Sequence, residues 1–186
     1  MIETQKLDIS DGMRRRRMHR EFDDRPVSPE ALEKMAWAAA RAQQARPGVR
    51  TIVIVDDPVL MTTARHVLPG FMTNAPAMMV LCSDVREAEQ RMGPRGVDHA
   101  TRLDAGAACA YLSLMAQALG LGICTITSWT DAAVRALLNL PAHVRPDVTV
   151  AIGYVPASPP KPLRGFKTSL YHNGYGADFT NGADHA

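Results

Sequence analysis

A helix near the middle of the chain limits the folds that this sequence can adopt. The segment from Asp98 to Leu119 has helical spacing, and its middle, residues 105–110, contains only alanine, glycine and cysteine. Larger apolar side chains follow on every side of the helix: Tyr111, Leu112, Leu114, Met115 and Leu119. A helix that is apolar all round is a buried one. We therefore expect a long central helix that other elements approach closely, and that ends at Gly120.

Four short apolar runs predict β-strands around this helix: residues 51–55, 77–82, 123–127 and 148–155. The first run is apolar without alternation, which is typical of a strand buried on both faces. Helices are predicted from a Ser28 cap, from Pro58 to Val67, from Asp84 to Met92 and from Thr130 to Leu138, with residues 93–96 as a loop. This order predicts an α+β fold (an α/β sandwich) in which a mixed sheet is flanked by helices.

The length of 186 residues suits a single domain, residues 1–186, with a core over about 10–165. Proline recurs from Pro156 to Arg164, so residues 156–186 are expected to form an extended C-terminal arm. No apolar run reaches the roughly 20 residues of a membrane span, and no secretory leader is recognisable. Three widely spaced cysteines predict reduced thiols in a cytoplasmic protein, and the histidines lack metal-ligand spacing.

Five arginines stand among the seven residues from Arg14 to Arg20. If this run ends a helix, Arg16 and Arg20 share a face with Arg17 beside them, and guanidinium groups held together in this way suit a phosphate. Solvated surface arginines are an equally good interpretation. A nucleic-acid-binding module is a third, although the net charge is only +2 and aromatic residues make up 5%.

Three blocks of the sequence resemble the FMN-dependent nitroreductases. The first is Arg16-Arg17-Met18-His19-Arg20-Glu21-Phe22, similar to the family's Arg-Arg-Ser-x-Arg-x-Phe. The second runs from Asp104 to Cys124 and contains the family's Ala-Leu-Gly-Leu-Gly at residues 118–122. The third is the leucine-rich run from Ala133 to Pro141, followed by Gly153-Tyr154. Together they cover residues from about 10 to 165.

The resemblance implies roles for individual residues. FMN phosphate and ribityl contacts fall on Arg16, Arg17 and Arg20, with Met18 able to contribute only its backbone where the family has serine. Contacts to the flavin ring fall on Gln44 and Arg46, in a loop where only Pro47 keeps the family's pattern. Thr127 and Ser128 replace glycines near the ring, Trp129 falls in the substrate pocket, and Lys161 or Arg164 would reach the phosphate from the arm.

The implied function is that of a homodimeric oxidoreductase with FMN at the subunit interface. It would transfer hydride from NADH or NADPH through the flavin to an electron-poor small molecule, such as a nitroaromatic or a quinone. The flavin carries the chemistry, so no catalytic side chain, metal, nucleic acid or membrane is required. The altered residues 44–48 and 127–128 leave an alternative: the same fold with oxygen-dependent flavin chemistry, dehalogenation or substrate oxidation.

Overall fold

The computed structural model of the chain describes residues 8–156 and 168–176. Its sheet contains β1 (Arg50–Val55), β2 (Ala77–Asp84), β3 (Leu121–Ile126) and β4 (Val144–Tyr154), in the order β1-β2-β4-β3. Every neighbouring pair of these strands is antiparallel. A parallel element enters as an isolated bridge between Met18 and Ile123 at the outer edge of β3. The expected mixed sheet therefore takes the form of four antiparallel strands with one parallel bridge.

The helices are α1 (Ile9–Arg15), α2 (Pro29–Arg41), α3 (Pro58–Val67), α4 (Val85–Arg95), α5 (Thr101–Ala118) and α6 (Asp131–Leu138), with a π-helical turn, Gly96–Ala100, before α5. The predicted caps are confirmed at α2, where Ser28 Oγ accepts from the Ala31 amide at 3.2 Å. The bounds of α3 are those predicted, because Asp57 caps its first turn and Pro58 occupies the first position.

The sheet carries a hydrophobic core on each face, which confirms the α+β class. Met79 and Leu81 of β2 point to the side covered by α2 and α5. Met78 and Val80, the alternate residues of the same strand, point to the side covered by α3 and α6. This alternation follows from the two-residue period of a strand.

Two local predictions were wrong. The first strand is not buried on both faces, because β1 is the edge of the sheet and Ile54 is 38% exposed. The loop predicted over residues 93–96 is reduced to a kink at Gly93, which has φ +67°, and helical backbone resumes through Arg95 and into the π-helical turn at Gly96. Glycine adopts that left-handed backbone conformation without the strain that a side chain adds.

The central helix α5 packs one face on the rest of the chain. Its small residues Ala105, Ala108 and Ala116 are buried together with Leu112. The opposite side, which we call the outer face of α5, consists of Leu103, Gly106, Ala110 and Tyr111, all exposed, with the exposed Arg102 at its margin. The expectation of a helix buried on every side is therefore wrong within the described residues, because α5 buries only one face.

A buried ion pair fixes the start of α5. Arg145 on β4 pairs with Asp147 at 2.7 Å and donates hydrogen bonds to the Val97 carbonyl and to Thr101 Oγ1. Asp147 accepts a further hydrogen bond from Ser83 on β2. Since each of these polar groups has a partner, the network ties the π-helical turn to the sheet.

Candidate functional site

The arginine run is not one helical face. Helix α1 ends at Arg15, and Arg16 already has an extended backbone with φ −51° and ψ 128°. The chain then follows the outer edge of β3, where the His19 amide donates to the Ile123 carbonyl at 2.9 Å. An edge strand offers unpaired backbone groups, and here they displace the helical continuation. The predicted convergence of Arg16 and Arg20 on one helix face is wrong for that reason.

Close packing holds this basic segment, residues 16–22, against the sheet. A Cβ on Gly122 would clash with Val155 Cγ2 and would stand 2.9 Å from His19 Cδ2, so only glycine fits there. A Cβ on Gly153 would stand 2.8 Å from the ring of Phe22. Beyond the segment, the Asp23 amide donates to the Tyr154 carbonyl at 2.8 Å. The backbone between α1 and Asp23 is therefore fixed at several points.

The three candidate arginines have different surroundings. The exposed Arg16 lines a cavity next to α1. Arg17 turns back, and its Nη1 donates to the carbonyls of Arg14 at 2.7 Å and Arg16 at 2.8 Å. Arg20 lies near Cys124, whose thiol pKa is raised by burial and partly lowered by the Arg20 charge. The basic segment therefore presents Arg16 and Arg20, while the Arg17 guanidinium serves the end of α1.

The cavity beside Arg16 has a volume of about 360 Å³ and lies between α1, α5 and β3. Its lining is mainly apolar with hydroxyl and thiol groups, and consists of Met13, Arg16, Cys109, Ala110, Ser113, Leu114 and Thr125. Cys109 Sγ lies 3.5 Å from Thr125 Oγ1, and burial raises the pKa of this thiol, so it is neutral at physiological pH. One cation, two hydroxyls and apolar walls suit an anionic ligand with an apolar body.

A second group of candidate residues lies in the loop between α2 and β1, residues 42–49. The Ala45 amide donates to Asp104 Oδ2 on α5 at 2.7 Å. Gln44 is half-buried, and its Oε1 is buried without a hydrogen-bond partner among the described residues. Arg46 is exposed. A buried acceptor without a donor is costly, so the position of Gln44 favours a donor from outside the described part of the chain.

Polar groups also follow the carboxyl end of β3. Thr127 and Ser128 are exposed, and the Ser128 carbonyl accepts from the Gly70 amide at 2.9 Å. The half-buried Trp129 packs on the core beneath α6, and its Nε1 donates to Asp131 at 3.2 Å. The two arm residues assigned to the phosphate, Lys161 and Arg164, lie outside the described residues.

Three polar residues that support these loops were not identified as functional from the sequence. Asp104 holds the Ala45 amide, Arg50 donates to four backbone carbonyls around it, and Asn74 holds Phe22. Their partners lie 7 to 59 positions away in sequence, and most are backbone atoms. Backbone partners leave no residue-type signal, so only Asp104, inside the quoted second block, could have been singled out.

Comparison with known proteins identifies the fold. Residues 52–154, more than half of the chain, match the model of the nitroreductase family. The chain belongs to the nitroreductase family. It is therefore an oxidoreductase, as the resemblance implied. The described residues contain no helix long and apolar enough to span a membrane, and no cluster of three or more His, Cys, Asp or Glu suited to a metal ion.

Relatives of this nitroreductase-family chain match it along most of their length. A Thermus thermophilus protein named NADH dehydrogenase is 28% identical over 180 residues, which cover 80% of this chain and 87% of that protein. A solved structure from Parabacteroides distasonis, for which NADH dehydrogenase/NAD(P)H nitroreductase activity has been proposed, is 25% identical. It has a TM-score of 0.76 and covers 89% of this chain and 98% of its own.

The NfrA1 nitroreductase from B. subtilis shares the fold, with a TM-score of 0.77 at 22% identity. That match covers 92% of this chain and 76% of the other. At this level of identity the likeness concerns the fold alone.

Proposed function

We propose that the chain is an FMN-dependent NAD(P)H oxidoreductase that acts as a homodimer on an electron-poor acceptor such as a nitroaromatic or a quinone. The observation that carries this proposal is the basic segment pinned along β3, which presents Arg16 at a cavity and Arg20 further along the same edge. Guanidinium groups on a fixed backbone suit a phosphate, because their planar forks match its oxygens and the segment that carries them is already in place when the anion binds.

The residues present fit FMN in three respects. Arg16 and Arg20 supply cations for the phosphate and the polar chain of the cofactor, while the exposed Met18 between them contributes backbone only. Gln44 offers a buried acceptor that needs a donor, which the ring N–H of a flavin provides. Thr127 and Ser128 offer hydroxyls at the end of β3, and the adjacent Trp129 is an aromatic wall for the acceptor.

When bound, FMN supplies the two-electron chemistry that links a nicotinamide donor to an acceptor. The residues of this chain then bind and orient it. Arg16 fixes the anionic end, Gln44 and Arg46 contact the polar edge of the ring, and apolar cavity walls such as Leu114 exclude water. No side chain is assigned a catalytic role.

The shape of the site supports the homodimer. A cavity of about 360 Å³ is at the low end of ligand pockets, roughly 300–1,000 Å³. Ala110, which lines it, also belongs to the outer face of α5, where Leu103 and Tyr111 are 56% and 47% exposed. Trp37 on α2 is 61% exposed. A second copy placed on this apolar face buries it and closes the cavity.

Steady-state assays test the proposal. NADH and NADPH consumption is measured without oxygen, with and without added FMN, in the presence of a benzoquinone or a nitroaromatic. We expect consumption that requires FMN, the protein and the acceptor together. Reduction of the flavin without turnover of either acceptor would favour the alternative, a flavoprotein of this fold with different chemistry. Failure to bind FMN would overturn the proposal.

A further inference from the structure

A carboxylate on the central helix controls the shape of the loop that carries Gln44 and Arg46. Asp104 Oδ2 accepts the Ala45 amide at 2.7 Å, across 59 positions of sequence. Ala45 lies between Gln44 and Arg46, the two residues assigned to the flavin ring. A single hydrogen bond to its amide therefore restricts the backbone of both neighbours. Two other hydrogen bonds reach residues 43–48, from Arg50 Nη2 to the Gln43 carbonyl at 2.7 Å and from Arg91 Nη1 to the Pro47 carbonyl at 2.8 Å, so the Asp104 bond is the one that holds the backbone between Gln44 and Arg46.

Arg50 fixes the two ends of the same loop. Its Nη1 donates to the Ala39 carbonyl at 2.7 Å, near the end of α2, and its Nη2 donates to the carbonyls of Gln43 and Asp104, each at 2.7 Å. Burial lowers the pKa of Arg50, and the charge of Asp104 opposes that change. The guanidinium therefore joins the end of α2, the loop and α5 into one unit, with the Asp104 carboxylate next to it.

The geometry assigns Asp104 as a positioning residue for the flavin: its carboxylate holds the Ala45 amide, Arg50 holds its backbone carbonyl, and Gln44 and Arg46 are thereby preset before the cofactor binds. This inference rests on the proposed function. A loop that is already ordered loses less conformational entropy when FMN binds. The hydrogen bond from Ala45 to Asp104 therefore increases the affinity for FMN. Asp104 itself touches no cofactor in this scheme.

Three variants separate this role from general stability. Asp104→Ala removes the acceptor, Asp104→Asn keeps an acceptor oxygen in the same place, and Asp98→Ala removes an exposed carboxylate from the turn before α5. For each variant, hydrogen exchange of residues 42–48 is measured in the FMN-free protein, and the Kd for FMN is measured by quenching of flavin fluorescence. Melting temperatures establish that each variant is folded.

We expect Asp104→Ala to speed exchange at Ala45 and to raise the Kd about tenfold, the fold-change for loss of a hydrogen bond to a charged group. Asp104→Asn should restore protection and keep the Kd within about threefold of the wild type, and Asp98→Ala should change neither. An unchanged Kd in Asp104→Ala, with the loop deprotected, overturns the inference and leaves the proposed function standing. A wild-type protein that binds no FMN overturns the proposed function, and the inference with it.

Discussion

Asn74 makes two hydrogen bonds to the backbone of Phe22. The Phe22 amide donates to Asn74 Oδ1 at 2.8 Å, and Asn74 Nδ2 donates to the Phe22 carbonyl at 2.7 Å, across 52 positions of sequence. Arg65 on α3 in turn donates to the carbonyls of residues 73–75, the loop that carries Asn74, with the shortest bond to Ala75 at 2.8 Å. The end of the basic segment is thereby tied to α3 through one side-chain amide.

Replacing Asn74 should release this segment. Asn74→Ala leaves the Phe22 amide and carbonyl without partners, which costs about 1–3 kcal/mol for each partly buried group. We expect a lower free energy of unfolding in urea. We also expect trypsin to cut faster within residues 14–20, where the exposed arginines are its sites, because local opening becomes easier.

Two further variants calibrate that result. Asn74→Asp keeps the acceptor and loses the donor, so its stability should fall between the wild type and Asn74→Ala. Gln90→Ala removes an exposed amide from α4 and should leave both stability and cleavage unchanged. Equal cleavage rates for Asn74→Ala and the wild type would contradict the role given to this side chain.

The arginines should differ in their effect on FMN. Arg20→Ala and Arg16→Ala each remove a guanidinium presented at the edge of β3, and the Kd for FMN should rise about tenfold or more for each. Arg14 on α1 is exposed and contributes its carbonyl to Arg17, so Arg14→Ala should change the Kd by less than about threefold. Fluorescence titration measures all three, and equal effects would contradict the assignment of the basic segment.

The sequence predicted the fold because its apolar pattern is local. The Ser28 cap, the bounds of α3 and the four strands all follow from spacing within a few residues. The edge position of β1 could not be predicted from spacing. The run from Thr51 to Val55 has the same composition whether or not a further strand pairs with it. Helical backbone resumes after the kink at Gly93, although Gly93-Pro94 is a local signal for a break.

The sequence supplied candidate residues, whose roles stay predictions, but not their arrangement. Arg16 and Arg20 were identified, yet the helix expected to bring them together ends at Arg15, because the free edge of β3 competes for the backbone. The cavity lined by Cys109 and Thr125 lies where α5 packs against β3. The spacing of residues in the sequence does not predict such packing, and it does not predict the hydrogen bonds between Asn74 and the backbone of Phe22.

The outer face of α5 provides a test of the homodimer. Nothing lies within 4 Å of a Cβ built on Gly106, so Gly106→Arg fits a single chain without a clash. In a dimer joined through this face, the same change inserts a charged side chain between two apolar surfaces. Light scattering should give the wild type a molar mass of two chains and Gly106→Arg a mass of one.

The matched control for this change is Ala132→Arg, at an exposed position of α6 away from the outer face. It should keep the mass of two chains. A wild-type protein with the mass of one chain, or a Gly106→Arg variant that stays dimeric, would show that the apolar face is not the interface.

The buried thiol of Cys82 should make the fold sensitive to alkali. Burial, with the charge of Asp147, raises the pKa of Cys82 to about 12, whereas the thiol has a pKa of about 8.5 in the unfolded chain. Between these values the unfolded chain releases a proton that the folded chain retains, so stability falls as the pH rises, by up to about 1.4 kcal/mol per pH unit. Below about pH 8 this contribution does not change.

Urea unfolding of the wild type and of Cys82→Ala between pH 7 and 11 isolates this effect. The variant lacks the thiol, so its free energy of unfolding should decline less steeply above pH 9, and the difference between the two proteins should narrow as the pH rises. Two parallel curves would mean that Cys82 is not buried as the structure describes.

The most direct test of the oxidoreductase function is the first half of the reaction. FMN-loaded protein is mixed without oxygen with NADH and, separately, with NADPH, and the visible absorbance band of the flavin is followed. We expect at least one reductant to bleach the band and a benzoquinone to restore it. A band that neither reductant bleaches, while FMN remains bound, would contradict the proposed function.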